Sequence, residues 1–153
     1  MNSMDIAFLS MCGLGFAKRA PGTVGSAGML PILYVMGIVP LPSIVFFPIL
    51  TLLTVGSCFL AEAVEKRLGV HDPKWIVIDE ALGMMVTWLF YPSNDPIDLL
   101  LVFAFFRFFD ISKIWPISFV ENKVPGGWGT VLDDVVAGLM AGGVYYFVNS
   151  SLF

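Results

Sequence analysis

The longest uncharged stretch of the chain runs from Ala20 to Ala61, and it restricts the fold more than any other feature. These 42 residues contain no Asp, Glu, Lys or Arg, and Pro40 and Pro42 interrupt them in the middle. A helix that crosses a bilayer needs about 20 predominantly apolar residues. The stretch therefore predicts a helical hairpin in a membrane, with one helix over roughly 24–39 and the next over roughly 43–62.

The composition agrees with a membrane protein. Of the 153 residues, 58% are hydrophobic and only 13% are charged, whereas about 25% of the residues of an ordinary soluble domain are charged. The net charge of −4 argues against a nucleic-acid-binding protein, which would need a basic patch. The length is that of one domain. We therefore expect a single membrane domain over residues 1–153, and not a soluble enzyme.

Three further apolar segments complete an all-α prediction. They cover roughly 76–91, 97–109 and 135–153, which gives about five membrane segments. The third and fourth segments are short, so tilting across the bilayer and dipping in from one face both stay open. In this arrangement every Lys and Arg falls on or near one side, and the positive-inside rule makes that side cytoplasmic. The N-terminus is then cytoplasmic.

Five carboxylates fall at the cytoplasmic edge of these segments. Asp79 and Glu80 begin the third, Asp110 ends the fourth, and Asp133 and Asp134 begin the fifth. Ionisable groups in a membrane are costly and indicate function, although a single acid could simply cap a helix. Five acids together would repel one another unless a cation neutralised them. Carboxylate oxygens suit Mg²⁺, so Asp79, Glu80, Asp133 and Asp134 are predicted metal ligands.

Two cations accompany the acids. Arg107, Asp110 and Lys113 follow one another at spacings of three, which places all three on one face of a helix. Arg and Lys side chains are typical ligands of phosphate oxygens. A phosphate group beside a bound cation is thus the ligand that these residues favour.

Two motifs of the form Pro-Gly-x-x-Gly-Ser/Thr lie on the same side of the predicted bundle. We interpret them as loops before helices, where glycine lets the backbone approach an anion at a helix N-terminus. The alternative is that the glycines only allow close helix packing. The candidate substrate-binding residues are Gly22, Thr23, Gly25 and Ser26 in the first motif and Gly126, Gly127 and Gly129 in the second.

The motifs of several phosphate-handling enzymes are missing. The chain has one histidine, His71, and it lacks a phosphohistidine pair, an aspartyl-phosphate motif, a cysteine-phosphatase motif and a P-loop. His71 is predicted to be a loop residue and not a base. Cys12 and Cys58 support neither a disulfide framework nor a zinc site, and Cys58 is expected to be a small buried hydrophobe.

Four stretches of the chain, residues 20–26, 78–84, 106–113 and 126–138, resemble the phosphatidylglycerophosphatase A family. They occur in the family's order and cover nearly the whole chain. The resemblance implies a Mg²⁺-dependent lipid phosphatase of the bacterial inner membrane, with its site facing the cytoplasm. It further implies hydrolysis of phosphatidylglycerophosphate to phosphatidylglycerol and inorganic phosphate.

For such a reaction the residues would divide the work as follows. Arg107 and Lys113 would hold phosphate oxygens, and Asp110 would ligate the metal or orient the attacking water as a general base. The alternative to water is a nucleophilic carboxylate that forms an acyl phosphate, with Asp110 as the candidate. Adjacent acids on a helix point about 100° apart, so Asp133 and Asp134 are not both expected to bind the metal. The alternatives are a small transporter or ion-binding subunit, a membrane-packing protein, and a phosphatase of another lipid phosphate.

Overall fold

A computed structural model describes residues 2–39 and 41–152, with the side chains of 151 and 152 left out. These residues form seven α-helices and one 3₁₀ turn, and they contain no β-strand. Pro40, one of the two predicted helix breakers, lies outside the described residues. The helices are α1 (Ser3–Leu9), α2 (Pro21–Ile38), α3 (Ser43–Leu68), α4 (Ile78–Leu89), α5 (Pro96–Ser112), α6 (Ile117–Lys123) and α7 (Gly127–Leu152). The predicted all-α fold is confirmed.

Local sequence explains where the main helices begin and end. Pro21 and Pro96 stand in the first turns of α2 and α5, where a missing N–H costs nothing. The Asp95 side chain accepts a hydrogen bond from the Ile97 amide at 2.8 Å and so caps α5. Gly69 ends α3 in the left-handed conformation that glycine adopts most readily.

Within the described part of the chain, three helices are long and apolar enough to cross a membrane: α2, α3 and residues Gly127–Ser150 of α7. Large apolar side chains remain on their outer faces, including Ile44 at 83% exposure, Leu52 at 72% and Phe147 at 70%. Such surfaces fit contact with lipid better than contact with water. Helices α2 and α3 form where the uncharged stretch predicted them. Over their described residues they do not pack on each other as a hairpin, because each packs on α4 instead. Five spanning segments are not confirmed.

Helix α4 is too short to cross a bilayer. Its 12 residues extend about 18 Å, against about 30 Å of hydrocarbon. Eight of the 12 are buried, so this helix is enclosed by other helices. Helix α5 has 17 residues and packs beside it.

Close contact between α4 and α7 fixes the centre of the bundle. A Cβ atom on Gly138 would lie 2.5 Å from the Gly83 carbonyl oxygen, so the two backbones touch there. The Thr87 hydroxyl donates to the Gly83 carbonyl at 2.9 Å, and the Gly138 carbonyl lies 3.3 Å from the same hydroxyl. The helices meet one turn beyond the acids Asp79 and Asp134. This contact therefore sets the distance between the two acids.

Two long helices extend further than the uncharged segments indicated. Helix α3 continues to Leu68, so Lys66 and Arg67 occupy its last turn. Helix α7 begins at Gly127, eight residues before the predicted start, because the second glycine motif is itself helical. Asp133 and Asp134 therefore lie inside α7 and do not begin it. Helices α1 and α6 were not predicted, since they are only seven residues each.

Candidate active site

A polar cavity of about 400 Å³ opens at one end of the bundle. It lies where α2, α4 and α7 begin and where α5 ends, because alternate helices run in opposite directions. The loop between α3 and α4 and the helix α6 complete the wall. The lining includes Asp79, Glu80, Arg107, Asp110, Lys113, Asp133 and Asp134. The structure thus brings all seven predicted charged residues to one cavity.

Three of the four predicted metal ligands form a tight group. One carboxylate oxygen each from Asp79, Glu80 and Asp134 lies within 4.8 Å of the other two. Asp79 is 5% exposed and Asp134 is 4% exposed. The Oε2 atom of Glu80 is buried without a hydrogen-bond partner among the described residues. A buried carboxylate oxygen without a partner is unfavourable, so this group fits a bound cation that oxygen ligands can hold.

Asp133, the fourth predicted ligand, has a different partner. Its carboxylate forms a direct ion pair with the Lys113 ammonium, and its Oδ1 accepts a hydrogen bond from the Asp134 amide at 2.9 Å. The two adjacent acids of α7 therefore have different main partners, although both line the cavity. Asp134 joins the acidic group, whereas Asp133 holds the lysine.

The two cations are held by carboxylates on several elements. Arg107 Nη1 lies 2.5 Å from Asp110 Oδ2 and 4.0 Å from Glu80 Oε1. Lys113 Nζ lies 3.6 Å from Asp110 Oδ1 and 3.9 Å from Asp134 Oδ1. Burial opposes the charge of Lys113, but the carboxylates of Asp134 and Asp133 outweigh it and raise the pKa of the ammonium above its usual value. Lys113 therefore remains charged at neutral pH.

The first glycine motif is helical and not a loop, because α2 begins at Pro21. Gly22 lines the cavity, and a Cβ there would lie 2.0 Å from Glu80 Oε1, so a larger residue would displace that carboxylate. Ser26 Oγ donates to the Gly22 carbonyl at 2.8 Å and lies 3.4 Å from Arg107 Nη1. Gly25 faces Val77. Of this motif Pro21 and Gly22 belong to the cavity wall, whereas Thr23, Gly25 and Ser26 lie outside it.

The second glycine motif joins α7 to α3. Gly126 adopts a left-handed backbone with φ +65°, and the Gly127 amide donates to Glu62 Oε2 at 2.8 Å. A Cβ on Gly127 would lie 2.1 Å from the backbone nitrogen of Glu62, so this glycine permits close helix packing. Gly129 lines the cavity, whereas Gly126 and Gly127 do not.

Sequence reasoning missed part of the wall. His71, Asp72, Lys74, Glu121 and Thr130 also line the cavity. The His71–Asp72 pair in a polar stretch was the available signal, because polar side chains next to one another in a loop can reach a ligand. As predicted, His71 lies in a loop, between α3 and α4.

The buried Glu65 beneath His71 had no signal in the sequence. It precedes Lys66 and Arg67, a pattern typical of an exposed helix end, yet it is 7% exposed. Its burial depends on how the loop after α3 folds back over the helix, which the sequence did not reveal. Cys58 is fully buried, as predicted, and both cysteines are free.

The arrangement suits one class of ligand. A cavity with a buried acidic group that fits a cation, next to an arginine and a lysine, can hold a phosphate by its oxygens and neutralise its charge. Helices that carry apolar outer faces enclose this cavity. Together the cavity and the helices define a helical protein that acts on phosphorylated molecules near a membrane.

Comparison with known proteins places the chain more narrowly. The sequence pattern of the family described as phosphatidylglycerophosphatase A matches residues 7–149, and the chain belongs to this family. It is 37% identical over 140 residues to phosphatidylglycerophosphatase A of Escherichia coli (strain K12). The aligned region covers 90% of this chain and 78% of that protein. It is 35% identical over 130 residues to the protein of the same name from Haemophilus influenzae, over 84% of this chain and 78% of that protein.

A third relative carries a different name. The chain is 33% identical over 142 residues to a protein of Bacteroides thetaiotaomicron that is provisionally named phosphatidylinositol-3-phosphatase. This match covers 89% of the chain and 84% of that protein. No solved structure matches the chain. From its family, the protein is a phosphatase that acts on a phosphomonoester.

Proposed function

We propose that this protein hydrolyses phosphatidylglycerophosphate to phosphatidylglycerol and inorganic phosphate with the help of Mg²⁺. The observation that carries the proposal is the cavity in which the acidic group faces Arg107 and Lys113. The names of the two relatives from Escherichia coli and Haemophilus influenzae supply the lipid. The chain would act as one membrane domain over residues 1–153.

Asp79, Glu80 and Asp134 would hold the ion. Their oxygens fit a hard divalent cation, and Mg²⁺ commonly binds one or two carboxylates together with water and substrate phosphate. When bound, the ion would supply positive charge beside the phosphate oxygens and the departing oxygen. Asp133 would support this site from outside, because its carboxylate already holds Lys113.

Arg107 and Lys113 would contact the remaining phosphate oxygens. Both side chains reach the cavity from the end of α5, and each is fixed by Asp110. Asp110 would align the two cations and face the attacking water from the same wall. Such preorganised charges stabilise the transition state because they need no rearrangement during the reaction. Uncatalysed hydrolysis of phosphate monoesters is among the slowest known reactions, so this stabilisation is the main requirement.

The glycine motifs would shape the substrate-binding wall. We assign direct contact with the head group to Gly22 and Gly129, which line the cavity. Thr23, Gly25, Ser26, Gly126 and Gly127 would act by fixing the starts of α2 and α7. The Ser26 hydroxyl lies 3.4 Å from Arg107 Nη1 and so contacts a charged group of the site.

The charge distribution supports a cytoplasmic site in the bacterial inner membrane. All eight Lys and Arg residues lie in the loops and helix ends at the cavity end of the bundle, from Lys18 and Arg19 before α2 to Lys123 at the end of α6. Basic residues of membrane proteins concentrate on the cytoplasmic side. The cavity would then meet lipid head groups at that interface, with the acyl chains among the apolar helices.

A second substrate class follows from the relative in Bacteroides thetaiotaomicron, whose provisional name gives an inositol lipid phosphate. A transporter is less well supported, because the charged groups gather at one end of the bundle and transport sites lie near the membrane midplane.

The test is phosphate release by the purified protein in mixed micelles, with Mg²⁺ and with excess chelator. The substrates are phosphatidylglycerophosphate, phosphatidylinositol 3-phosphate and phosphatidic acid. We expect Mg²⁺-dependent release with the first substrate preferred. Asp134→Asn should abolish it, whereas Asp98→Asn, at the other end of the bundle, should not. If the protein prefers the inositol lipid, the proposed substrate is wrong. If phosphate release continues in excess chelator, the proposed role of Mg²⁺ is wrong.

A further inference from the structure

The single histidine of the chain is fixed at the cavity wall by a buried carboxylate. Nδ1 of His71 lies 2.9 Å from Oε2 of Glu65. A carboxylate only accepts hydrogen bonds, so Nδ1 carries the proton. The imidazole is 59% exposed, whereas the Glu65 side chain is 7% exposed. The ring therefore faces the open cavity while its support stays inside the protein.

Glu65 is itself held from two sides. The Thr130 hydroxyl donates to its Oε1 at 2.6 Å, and the Asp72 amide donates to the same oxygen at 3.2 Å. These contacts join α3, α7 and the loop after α3. A carboxylate fixed by other groups and bonded to Nδ1 of a histidine leaves Nε2 available and orients the ring.

The other cavity cations are poor proton donors. Arginine keeps its proton in proteins, and the ammonium of Lys113 is bound by Asp133. Lys74 also lines the cavity, but lysine side chains hold their proton far more firmly than histidine near neutral pH. Asp79, Glu80 and Asp134 form the group that fits a metal. His71 is the remaining lining residue whose ordinary pKa lies near neutrality.

We infer that His71 is a catalytic residue that gives a proton to the departing alcohol oxygen, and that Glu65 is the positioning residue that holds it. The inference rests on the proposed lipid phosphatase activity and adds the proton donor to it. General acids of this kind contribute about 10²–10⁴-fold to a rate.

The proton balance is complete with water alone. The oxygen of the attacking water bonds to phosphorus while the bond from phosphorus to the glycerol oxygen breaks, and its electron pair stays on the glycerol oxygen. The Nε2 proton of His71 moves to that oxygen and gives the lipid alcohol. The attacking water loses one proton to solvent, phosphate leaves as hydrogen phosphate, and His71 regains a proton from solvent.

The charges around His71 support its protonated form. The hydrogen bond to Glu65 raises the pKa of His71 in spite of partial desolvation, and the carboxylates of Glu65, Asp72 and Asp133 act in the same direction. They face it from α3, from its own loop and from α7. Lys113 and Glu121 line the same cavity with opposite charges.

A sulfur-bridged substrate tests the proton donor directly. In this analogue of phosphatidylglycerophosphate, sulfur replaces the oxygen that joins glycerol to the terminal phosphorus. A thiolate departs without being protonated, and the size of the substrate hardly changes. We expect His71→Gln to lower kcat on the oxygen ester about 10²–10³-fold and to lower kcat on the sulfur ester less than about 5-fold, on the same principle.

Glu65 variants test the positioning role. Glu65→Gln keeps one oxygen that can accept from Nδ1, and its amide NH₂ can then donate to the Thr130 hydroxyl. It should therefore retain more of the oxygen-ester activity than Glu65→Ala. The loss in Glu65→Ala should again be smaller on the sulfur ester. Lys123→Gln is the matched control, since Lys123 is exposed and is not among the residues that line the cavity.

The outcomes separate the two proposals. Equal losses on both esters in a folded His71→Gln protein, or no loss on either, would overturn the proton-donor role and leave the phosphatase proposal standing. A wild-type protein that releases phosphate from neither ester would overturn the phosphatase proposal itself. Size-exclusion elution and the unfolding midpoint in detergent establish that each variant is folded.

Discussion

Lys113 and Asp133 form a direct ion pair between the residue that ends α5 and the second turn of α7. The Lys113 ammonium also lies 3.9 Å from Asp134 Oδ1, so it contacts both adjacent acids of α7. The Lys113–Asp133 pair has two effects. It fixes the lysine in the cavity, and it neutralises the charge of an acid that does not belong to the acidic group of Asp79, Glu80 and Asp134.

The first prediction concerns this pair. Lys113→Gln leaves Asp133 without its cation, and breaking a buried pair from one side costs about 3–5 kcal/mol. Because Lys113 is 29% exposed, we expect a loss nearer the lower end. The double variant Lys113→Gln/Asp133→Asn should recover most of the stability but not the phosphatase activity. The unfolding midpoint in detergent measures the stability, and phosphate release measures the activity. If the double variant recovers both, Lys113 has no role in the reaction.

The second prediction concerns metal binding without turnover. A ligand that binds only the folded protein stabilises it in proportion to the logarithm of its concentration. Mg²⁺ should therefore raise the unfolding midpoint of the wild-type protein, and Glu80→Gln should largely abolish the rise because it removes one of the three clustered carboxylates. The control is Asp98→Asn, because Asp98 lies outside the cavity and accepts from Asn149 Nδ2 at 3.2 Å. This variant should keep the Mg²⁺-dependent rise in the unfolding midpoint. An unchanged rise in Glu80→Gln would exclude Glu80 as a ligand.

The third prediction concerns the α4–α7 contact. Gly138→Ala would place a Cβ 2.5 Å from the Gly83 backbone oxygen, so the helices must separate and Asp79 must move away from Asp134. We expect at least a 100-fold loss of kcat, since about 1 Å of misplacement can cost that much. Gly143→Ala lies on the same helix with no atom within 4 Å of the new Cβ. It should keep wild-type activity, and equal activity of the two variants would contradict the prediction.

The fourth prediction concerns pH. Because the pKa of His71 is raised in the folded protein, the protonated histidine binds Glu65 most strongly at low pH. Its contribution to stability is complete below the pKa of the unfolded chain, about 6.5, and is lost as pH rises through the higher folded value. The difference in unfolding midpoint between wild type and His71→Gln should shrink from pH 5.5 to pH 9. A difference that grows over this range would contradict the assigned hydrogen bond.

The sequence was sufficient for the parts of the fold that depend on long apolar runs. The uncharged window predicted α2 and α3, and the change from apolar to acidic residues placed Asp79, Glu80 and Asp134 at the same end. The sequence was insufficient where the rotation of a helix about its axis decides which side chains meet. Which of Asp133 and Asp134 joins Asp79 and Glu80 depends on α7 beginning at Gly127 and packing on Gly83, and no local pattern encodes that contact.

Residues buried by a fold-back were also beyond the sequence. Glu65 is adjacent to Lys66 in the last turns of α3 and has the pattern of a solvated helix end. Only the loop that brings His71 and Asp72 back over it, together with Thr130 on α7, removes it from water. Tertiary contacts between elements 65 residues apart leave no trace in a local window.

The position of α7 in the chain also bears on the order of assembly. When synthesis has reached the end of α6, the nascent chain already carries Asp79, Glu80, Arg107 and Lys113, but it lacks Asp134 and the surface that covers α4. The short helix α4 has most of its length enclosed only once α7 packs against Gly83. The acidic group is therefore completed only when α7 has emerged, and a chain cut before α7 would carry Asp79 and Glu80 without Asp134.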